Sequence, residues 1–155
     1  MNSLLDLAGE ICKVIFPIRE EVFLGNSESS VAVCTLSSMD LLKEISNSDL
    51  MKKVAMAGRL LSENRGIDEL IRNIIKNHNI RTLIVCGKEV SGHKTGHALV
   101  SLHKYGIDDN GRITNSCSPS PFLTVSKSDV EKFQRQITLV DRIGETRLGR
   151  IICEI

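Results

Sequence analysis

One histidine in a glycine-flanked loop is the residue of this sequence best placed to do chemistry. His93 follows an apolar run, Leu83–Cys86, that stops at Gly87, and such a run indicates a buried strand of a parallel sheet. Ligands of open α/β sheets bind at the carboxyl ends of the strands, where this loop is expected to lie. An imidazole there can ligate a metal or exchange protons. The alternative is that His93 caps the helix beginning near Gly96 or hydrogen-bonds a carbonyl group.

The residues around His93 complete no zinc motif. His97 lies four residues further along, but Lys94 stands where the H-E-x-x-H pattern needs glutamate, and no cysteine is close in sequence. Glu89 is the carboxylate we expect beside His93, unless it only makes a hydrogen bond within its own loop. The sequence also lacks the glycine-rich nucleotide-binding signatures and the G-x-S-x-G signature of hydrolases.

Composition and charge are those of an ordinary soluble protein. The 155 residues are 41% hydrophobic and 25% charged, with 20 Lys and Arg against 19 Asp and Glu. Balanced charge and few aromatic residues argue against nucleic acid or an anionic membrane as the main partner. Five widely spaced cysteines indicate a reducing compartment, and no stretch has the length and apolarity of a membrane helix or a secretory signal. The sequence therefore predicts one cytoplasmic domain over residues 1–155, with no direct membrane insertion.

Strand and helix patterns alternate along the chain. Strands are predicted at residues 20–24, 30–36, 54–58, 83–86 and 113–117. Helices are predicted at residues 1–16, 39–45, 66–76, 96–105 and 126–143, while the tail at 144–155 is ambiguous. Alternation of this kind predicts an α/β fold, a Rossmann-like three-layer sandwich with a mostly parallel sheet and helices on both faces.

Four polar loops are expected to meet at the carboxyl edge of that sheet. They cover residues 35–38, 58–66, 88–95 and 116–121. The helix starts at Gly66 and Gly96 add backbone N–H donors and a positive dipole end, which suit an anion. A ligand pocket is one interpretation, and the other is that such loops only turn the chain between its elements.

Longer stretches of the chain resemble the A subunit of tetrahydromethanopterin S-methyltransferase. The matching stretches are Val31-Ala-Val-Cys-Thr-Leu, Ser62-Glu63-Asn64-x-Gly66-Ile67, Leu83-Ile-Val-Cys-Gly87-x-Glu89-Val90-x-Gly92-His93-x-x-Gly96, Leu102-His103-x-x-Gly106-Ile107-Asp108, Asn110-Gly111-Arg112-Ile113 and Phe133-Gln134-x-Gln136. They are colinear from about Pro17 to Ile143. The family's cobalt-ligating histidine aligns with His93. The segment Gly92-His93-Lys94-Thr95-Gly96 also holds the H-x-x-G half of the D-x-H-x-x-G signature of cobalamin-binding domains, with Ser91 at the Asp position.

The resemblance implies a methyl carrier that binds cobalamin or another cobamide. In that family the corrinoid takes a methyl group from methyl-tetrahydromethanopterin and passes it to coenzyme M, together with partner subunits in a sodium-pumping membrane complex of methane-forming archaea. The cofactor would do the chemistry, with His93 as an axial cobalt ligand and no further catalytic side chain. The resemblance and the rim loops together give these cofactor-binding residues: Thr35, Leu36, Ser37, Gly58, Ser62, Glu63, Asn64, Gly66, Gly87, Glu89, Val90, Gly92, His93, Thr95, Gly96, Ser118, Pro119 and Pro121.

Two loops depart from the family pattern and keep alternatives open. The family's loop at residues 58–64 usually contains proline and cysteine, whereas here Arg59 is placed near the expected pocket. The loop at 115–121 lacks the family's glycines, and the C-terminal linker and membrane helix of the family are not recognisable. A free-standing paralogue is favoured over a trimmed component of the membrane complex. The other functions left open are a cofactor-sensing or scaffold paralogue without turnover, and an unrelated α/β module that binds a small ligand.

Overall fold

The structure is a computed structural model that describes residues 21–155. The helix predicted at residues 1–16 lies outside the described residues, as does the first residue of the strand predicted at 20–24. None of the helices within residues 21–155 has the length and apolarity needed to cross a membrane.

A five-stranded, mostly parallel sheet organises the described residues. Its strands are β1 (Val22–Leu24), β2 (Val31–Cys34), β3 (Met56–Gly58), β4 (Thr82–Gly87) and β5 (Thr138–Ile143), in the spatial order β1-β3-β2-β4-β5. β2 pairs in parallel with both β3 and β4, and β5 pairs in parallel with β4. Only β1 is antiparallel, at the edge beside β3. The chain moves from β2 outward to β3 and then back across to β4, so the strand order switches between β2 and β4, where open α/β sheets bind ligands.

Helices cover both faces of the sheet, as predicted. They are α1 (Met39–Ser46), α2 (Arg65–Lys76), α3 (Thr95–Tyr105), α4 (Lys127–Gln136) and α5 (Leu148–Ile152), with a short 3-10 helix at Asp49–Lys52. Successive side chains of β4 alternate between two buried clusters because side chains of a strand point to opposite faces. Leu83 and Val85 pack in the cluster that contains α2, α3 and α4, whereas Ile84 and Cys86 pack in the cluster that contains α1 and α5. The α/β prediction is confirmed.

Two predictions for the second half of the chain are wrong: the end of the helix predicted at 126–143 and the strand predicted at 113–117. The helix predicted at 126–143 ends at Gln136, and residues 138–143 instead form β5, which pairs with β4 from Thr82↔Thr138 to Gly87↔Ile143. Apolar residues at 137, 140 and 143 fit a helical period, but the free edge of β4 offers a full ladder of backbone hydrogen bonds. The strand predicted at 113–117 is also wrong: Ile113 forms only an isolated bridge with Ile107, and the left-handed φ of Asn115 interrupts an extended run.

The crossover from β4 to β5 therefore contains two helices and a long return segment. We define the return segment as residues 107–126, between α3 and α4. It carries residues 116–121 back to the carboxyl edge of the sheet, where Ser118 Oγ donates to the Lys94 carbonyl at 3.0 Å. The loop at 116–121 thus reaches the expected edge although no strand precedes it.

Two glutamines of α4 hold the ends of the neighbouring helices. Gln136 Nε2 donates to the carbonyl oxygens of Ile74, Asn77 and Ile80, at 2.9, 3.0 and 3.0 Å, where α2 ends and the chain enters β4. The last carbonyls of a helix have no partner within the helix, so a side-chain amide can satisfy them. Gln134 makes the equivalent contact with the last turn of α3. The Phe-Gln-x-Gln segment is thus a structural cross-link between three helices.

Replacing Gln136 tests this cross-link. Gln136→Ala removes the side-chain donor from all three carbonyls, of which those of Ile74 and Asn77 keep a backbone donor, and we expect it to lower the free energy of unfolding by about 1–3 kcal/mol. Arg135→Ala on the same helix is the control, because Arg135 is exposed and, among residues 21–155, its guanidinium pairs only with Glu131, at 4.0 Å. Its effect should stay within about 0.5 kcal/mol. Equilibrium urea unfolding measures both, and equal losses would contradict the assignment.

Candidate functional site

Three chain segments meet at the carboxyl edge of the sheet. They are the Glu63 loop (residues 59–64) after β3, the His93 loop (residues 88–94) after β4, and the part of the return segment at 116–121. Thr95 Oγ1, at the start of α3, donates to the Leu61 carbonyl at 3.3 Å. Asn64 Nδ2 donates to the Ser120 carbonyl at 3.4 Å. These contacts bring together segments that lie far apart in the sequence.

The centre of this edge is a histidine paired with a buried carboxylate. His93 Nδ1 lies 2.9 Å from Glu63 Oε2, and the side chains are 55% and 2% exposed respectively. The other carboxylate oxygen of Glu63 accepts a hydrogen bond from the Ser120 backbone N–H at 3.1 Å. Both oxygens thus act as acceptors, so we assign the imidazole hydrogen to Nδ1. In the neutral ring the lone pair is then on His93 Nε2, which has no hydrogen-bond partner among residues 21–155.

Glu89, the carboxylate expected beside His93, has another role. Its Oε1 accepts hydrogen bonds from the backbone N–H groups of Val90 and Gly96, both at 2.8 Å, and its Oε2 accepts one from His97 N–H at 2.9 Å. Lys94, the N-cap of α3, makes no side-chain capping bond, so Glu89 satisfies the free donors at this helix start. The carboxylate that contacts His93 is that of Glu63. The two residues are 30 positions apart, so the sequence alone does not indicate this contact.

Two glycines of the His93 loop region serve different purposes. A Cβ at Gly96 would lie 2.8 Å from Leu36 Cδ1 and 2.9 Å from Glu89 Oε2, so a larger residue there would displace these side chains. Gly92 has a φ of +78°, a conformation that favours glycine, and a Cβ there would meet nothing within 4 Å. The surface at Gly92, next to His93, is therefore not covered by other atoms of the described residues.

Burial divides the predicted binding residues into two groups. Only Gly92, His93 and Pro119 are exposed, while Ser37, Gly58, Ser62, Asn64, Glu89 and Val90 are partly exposed. The buried members are Thr35, Leu36, Glu63, Gly66, Gly87, Thr95, Gly96, Ser118 and Pro121. Several of the buried and partly exposed residues hold loops together: Ser62 Oγ, for example, accepts from Gly66 N–H at 2.7 Å at the start of α2. The buried group shapes the site, and the accessible group is left to contact a ligand.

One pair at this edge was not predicted from the sequence. Cys117 Sγ lies 3.4 Å from His97 Nδ1, and both residues are exposed. The two residues are 20 positions apart, and this spacing matches no known motif for a metal site or a catalytic dyad, so the sequence did not indicate the pair. Cys34 and Cys86 are buried in the core, where burial raises the pKa of the Cys86 thiol. Within residues 21–155, no group of three or more His, Cys, Asp or Glu side chains is arranged to hold a metal ion.

A family model and individual relatives of known sequence indicate the same family for this chain. A family model described as the A subunit of tetrahydromethanopterin S-methyltransferase matches residues 13–155. The chain is 40% identical over 136 residues to the A subunit of "Putative methyltransferase Mtx" from Methanosarcina barkeri, covering 87% of this chain and 65% of that protein. It is 41% identical over 136 residues to the A subunit of tetrahydromethanopterin S-methyltransferase from Methanocaldococcus jannaschii, covering 86% and 55%. The chain thus spans about three fifths of the length of the Mtx relatives that it matches.

The histidine–carboxylate pair can be tested by changing Glu63 alone. In Glu63→Gln the amide offers one acceptor oxygen where the carboxylate accepts two hydrogen bonds, so the His93 tautomer with hydrogen on Nδ1 should lose population. Nitrogen NMR of the imidazole rings at alkaline pH, where they are neutral, measures the tautomer directly. His78, an exposed histidine beyond the end of α2, is the internal control. An unchanged His93 tautomer would contradict the pairing.

Proposed function

Since the chain belongs to the family of the A subunit of tetrahydromethanopterin S-methyltransferase, we propose that it binds cobalamin or another cobamide at the edge that carries His93. The observation that supports this most is the pairing of an exposed imidazole with a buried carboxylate. Its Nδ1 is held by Glu63, and its Nε2 is free on an open surface.

The residues present fit such a cofactor. Histidines that ligate metals almost always donate their other ring N–H to a carboxylate, a carbonyl or water, and Glu63 and His93 have this arrangement. A cobamide would bring its metal already held by a macrocycle, so His93 could hold the metal without a cluster of protein ligands. Ser91 stands at the position where cobalamin-binding domains carry aspartate, and Glu63 takes over the orienting role from another loop.

Each residue of the site has a task that follows from its contacts. In the neutral ring Glu63 holds the hydrogen at Nδ1, which leaves the lone pair at Nε2, and its negative charge strengthens Nε2 as a ligand. The backbone of the His93 loop is fixed by hydrogen bonds from the N–H groups of His93 and Lys94 to the Val90 carbonyl, at 3.2 and 2.9 Å. The imidazole ring of His93 can therefore turn away from Glu63 when their hydrogen bond breaks, while the loop backbone stays in place. When bound, the cofactor supplies the cobalt centre that carries the methyl group.

The accessible residues of the edge suit the periphery of a corrin ring. Ser37, Ser62 and Asn64 are partly exposed and already bond within the edge, and the hydrogen-bonding capacity that their hydroxyl and amide groups retain could serve the amide side chains of a corrin. Gly92 and Pro119 leave an open, low surface around His93. Arg59, placed near the pocket by the sequence, lines a cavity between α2 and the sheet instead.

Membership of this family supports a proposal for the wider activity. We propose that the chain is the corrinoid-carrying component of a methyltransferase, working with partner subunits. Methyl-tetrahydromethanopterin is the proposed donor, and coenzyme M or another thiol is the proposed acceptor.

Cobalamin titration of the whole chain tests the proposal. The protein should take up cobalamin with a saturable change in its visible absorption. His93→Ala should still bind, because most contacts are with the macrocycle, but its absorption spectrum should differ from that of the wild type. His97→Ala is the control, since His97 lies four residues away with Nδ1 beside Cys117, and should give the wild-type spectrum. Failure of the wild type to bind overturns the proposal, and identical spectra for wild type and His93→Ala overturn the ligand role of His93.

A further inference from the structure

A second site lies on the α2 side of the sheet, at the edge formed by β1. It is a cavity of about 360 Å³, within the size range of small-molecule sites. Apolar side chains of the sheet and of α2 form most of its wall, namely Val22, Leu24, Ala32, Met56, Leu70 and Ile74. The cavity is open towards β1, where Val22 is 53% and Leu24 is 80% exposed.

Arg59 brings a charge into this apolar cavity. Its backbone N–H donates to the Glu21 carbonyl at 3.0 Å, which continues the β1–β3 pairing and fixes where the side chain starts. The guanidinium makes no hydrogen bond or ion pair with any residue in 21–155. Arg59 Nε is also the one buried side-chain nitrogen or oxygen of the described residues without a partner. Leaving a buried donor of a charged group unpaired is costly, so the site is built to be completed by an acceptor.

The polar residues near Arg59 narrow the chemistry of that acceptor. Glu69 and Asn73 of α2 line the same cavity. The carboxylate of Glu69 disfavours a second negative charge on the ligand, whereas the amide of Asn73 can bond with a polar substituent. A guanidinium presents two parallel N–H donors, which match the two oxygens of a carboxylate.

We propose that this cavity binds a small monocarboxylate with an apolar body, whose carboxylate pairs with Arg59 and whose hydrocarbon part lies against Leu70, Met56 and Leu24. The cavity is separate from the edge that carries His93, because its lining includes neither His93 nor Glu63, although it includes Gly58 and Gly66 of the predicted cofactor-binding residues.

Octanoate and its uncharged analogue octanamide probe the site in the full chain. Octanoate should bind with one-to-one stoichiometry, and octanamide should bind at least about 10-fold more weakly because it cannot form the charged pair. Arg59→Met keeps a long apolar side chain and should reduce octanoate affinity by about 10-fold or more, bringing it close to that of octanamide. Arg65→Met is the matched control, since Arg65 is an exposed arginine at the start of α2 outside the cavity lining. Isothermal titration calorimetry measures the affinities.

The variants also separate binding from folding. Arg59→Met removes an unpaired charge, so its melting temperature should equal or exceed that of the wild type. Amide NMR shifts caused by octanoate should map to β1, β3 and α2 and not to the His93 loop. The proposal is overturned if octanoate shows no saturable binding to the wild type, if Arg59→Met binds it as tightly, or if the shifts map elsewhere.

Discussion

A single buried carboxylate joins the loops on which the candidate site depends. Glu63 lies in the loop after β3. Its carboxylate is hydrogen-bonded to the imidazole of His93 in the loop after β4 and to the backbone N–H of Ser120 in the return segment. Burial of an ionised carboxylate is unfavourable unless its oxygens are hydrogen-bonded, so the two neighbouring loops must stay in place around it. The position of His93 is therefore set by a residue 30 positions earlier in the chain.

The same device recurs elsewhere on this side of the molecule. Asp68 of α2, only 3% exposed, accepts hydrogen bonds from the backbone N–H groups of Thr124 and Val125 in the return segment, all at 3.0 Å. Glu89 in turn ties the His93 loop to the start of α3. Three carboxylates thus anchor irregular segments that lack the ladder of a sheet or the bonds of a helix. The loop after β3 also serves two surfaces, with Glu63 at the histidine and Arg59 in the cavity beside α2.

Local pattern predicted much of this fold, and long-range pairing decided the rest. The strand at 82–87 and the helix at 65–76 have apolar residues with one clear period, and both formed close to the predicted bounds. Residues 137–143 suit either period, and only the free edge of β4 made them a strand. His93 stood out because glycines and a buried strand surround it. Its partner Glu63 was among the predicted binding residues, but its contact with His93 depends on how β3 and β4 are placed in the sheet.

The central claim is that Nε2 of His93 is available to ligate the cobalt of a bound cobamide. Electron paramagnetic resonance of the cobalt(II) form, prepared with protein containing isotope-labelled histidine, tests it most directly, because the label distinguishes histidine nitrogen from the benzimidazole nitrogen of the cofactor itself. The account predicts that the nitrogen superhyperfine splitting changes with the label in the wild type, and that His93→Ala loses this dependence. A splitting that is unaffected by the label while cobalamin is fully bound would contradict it.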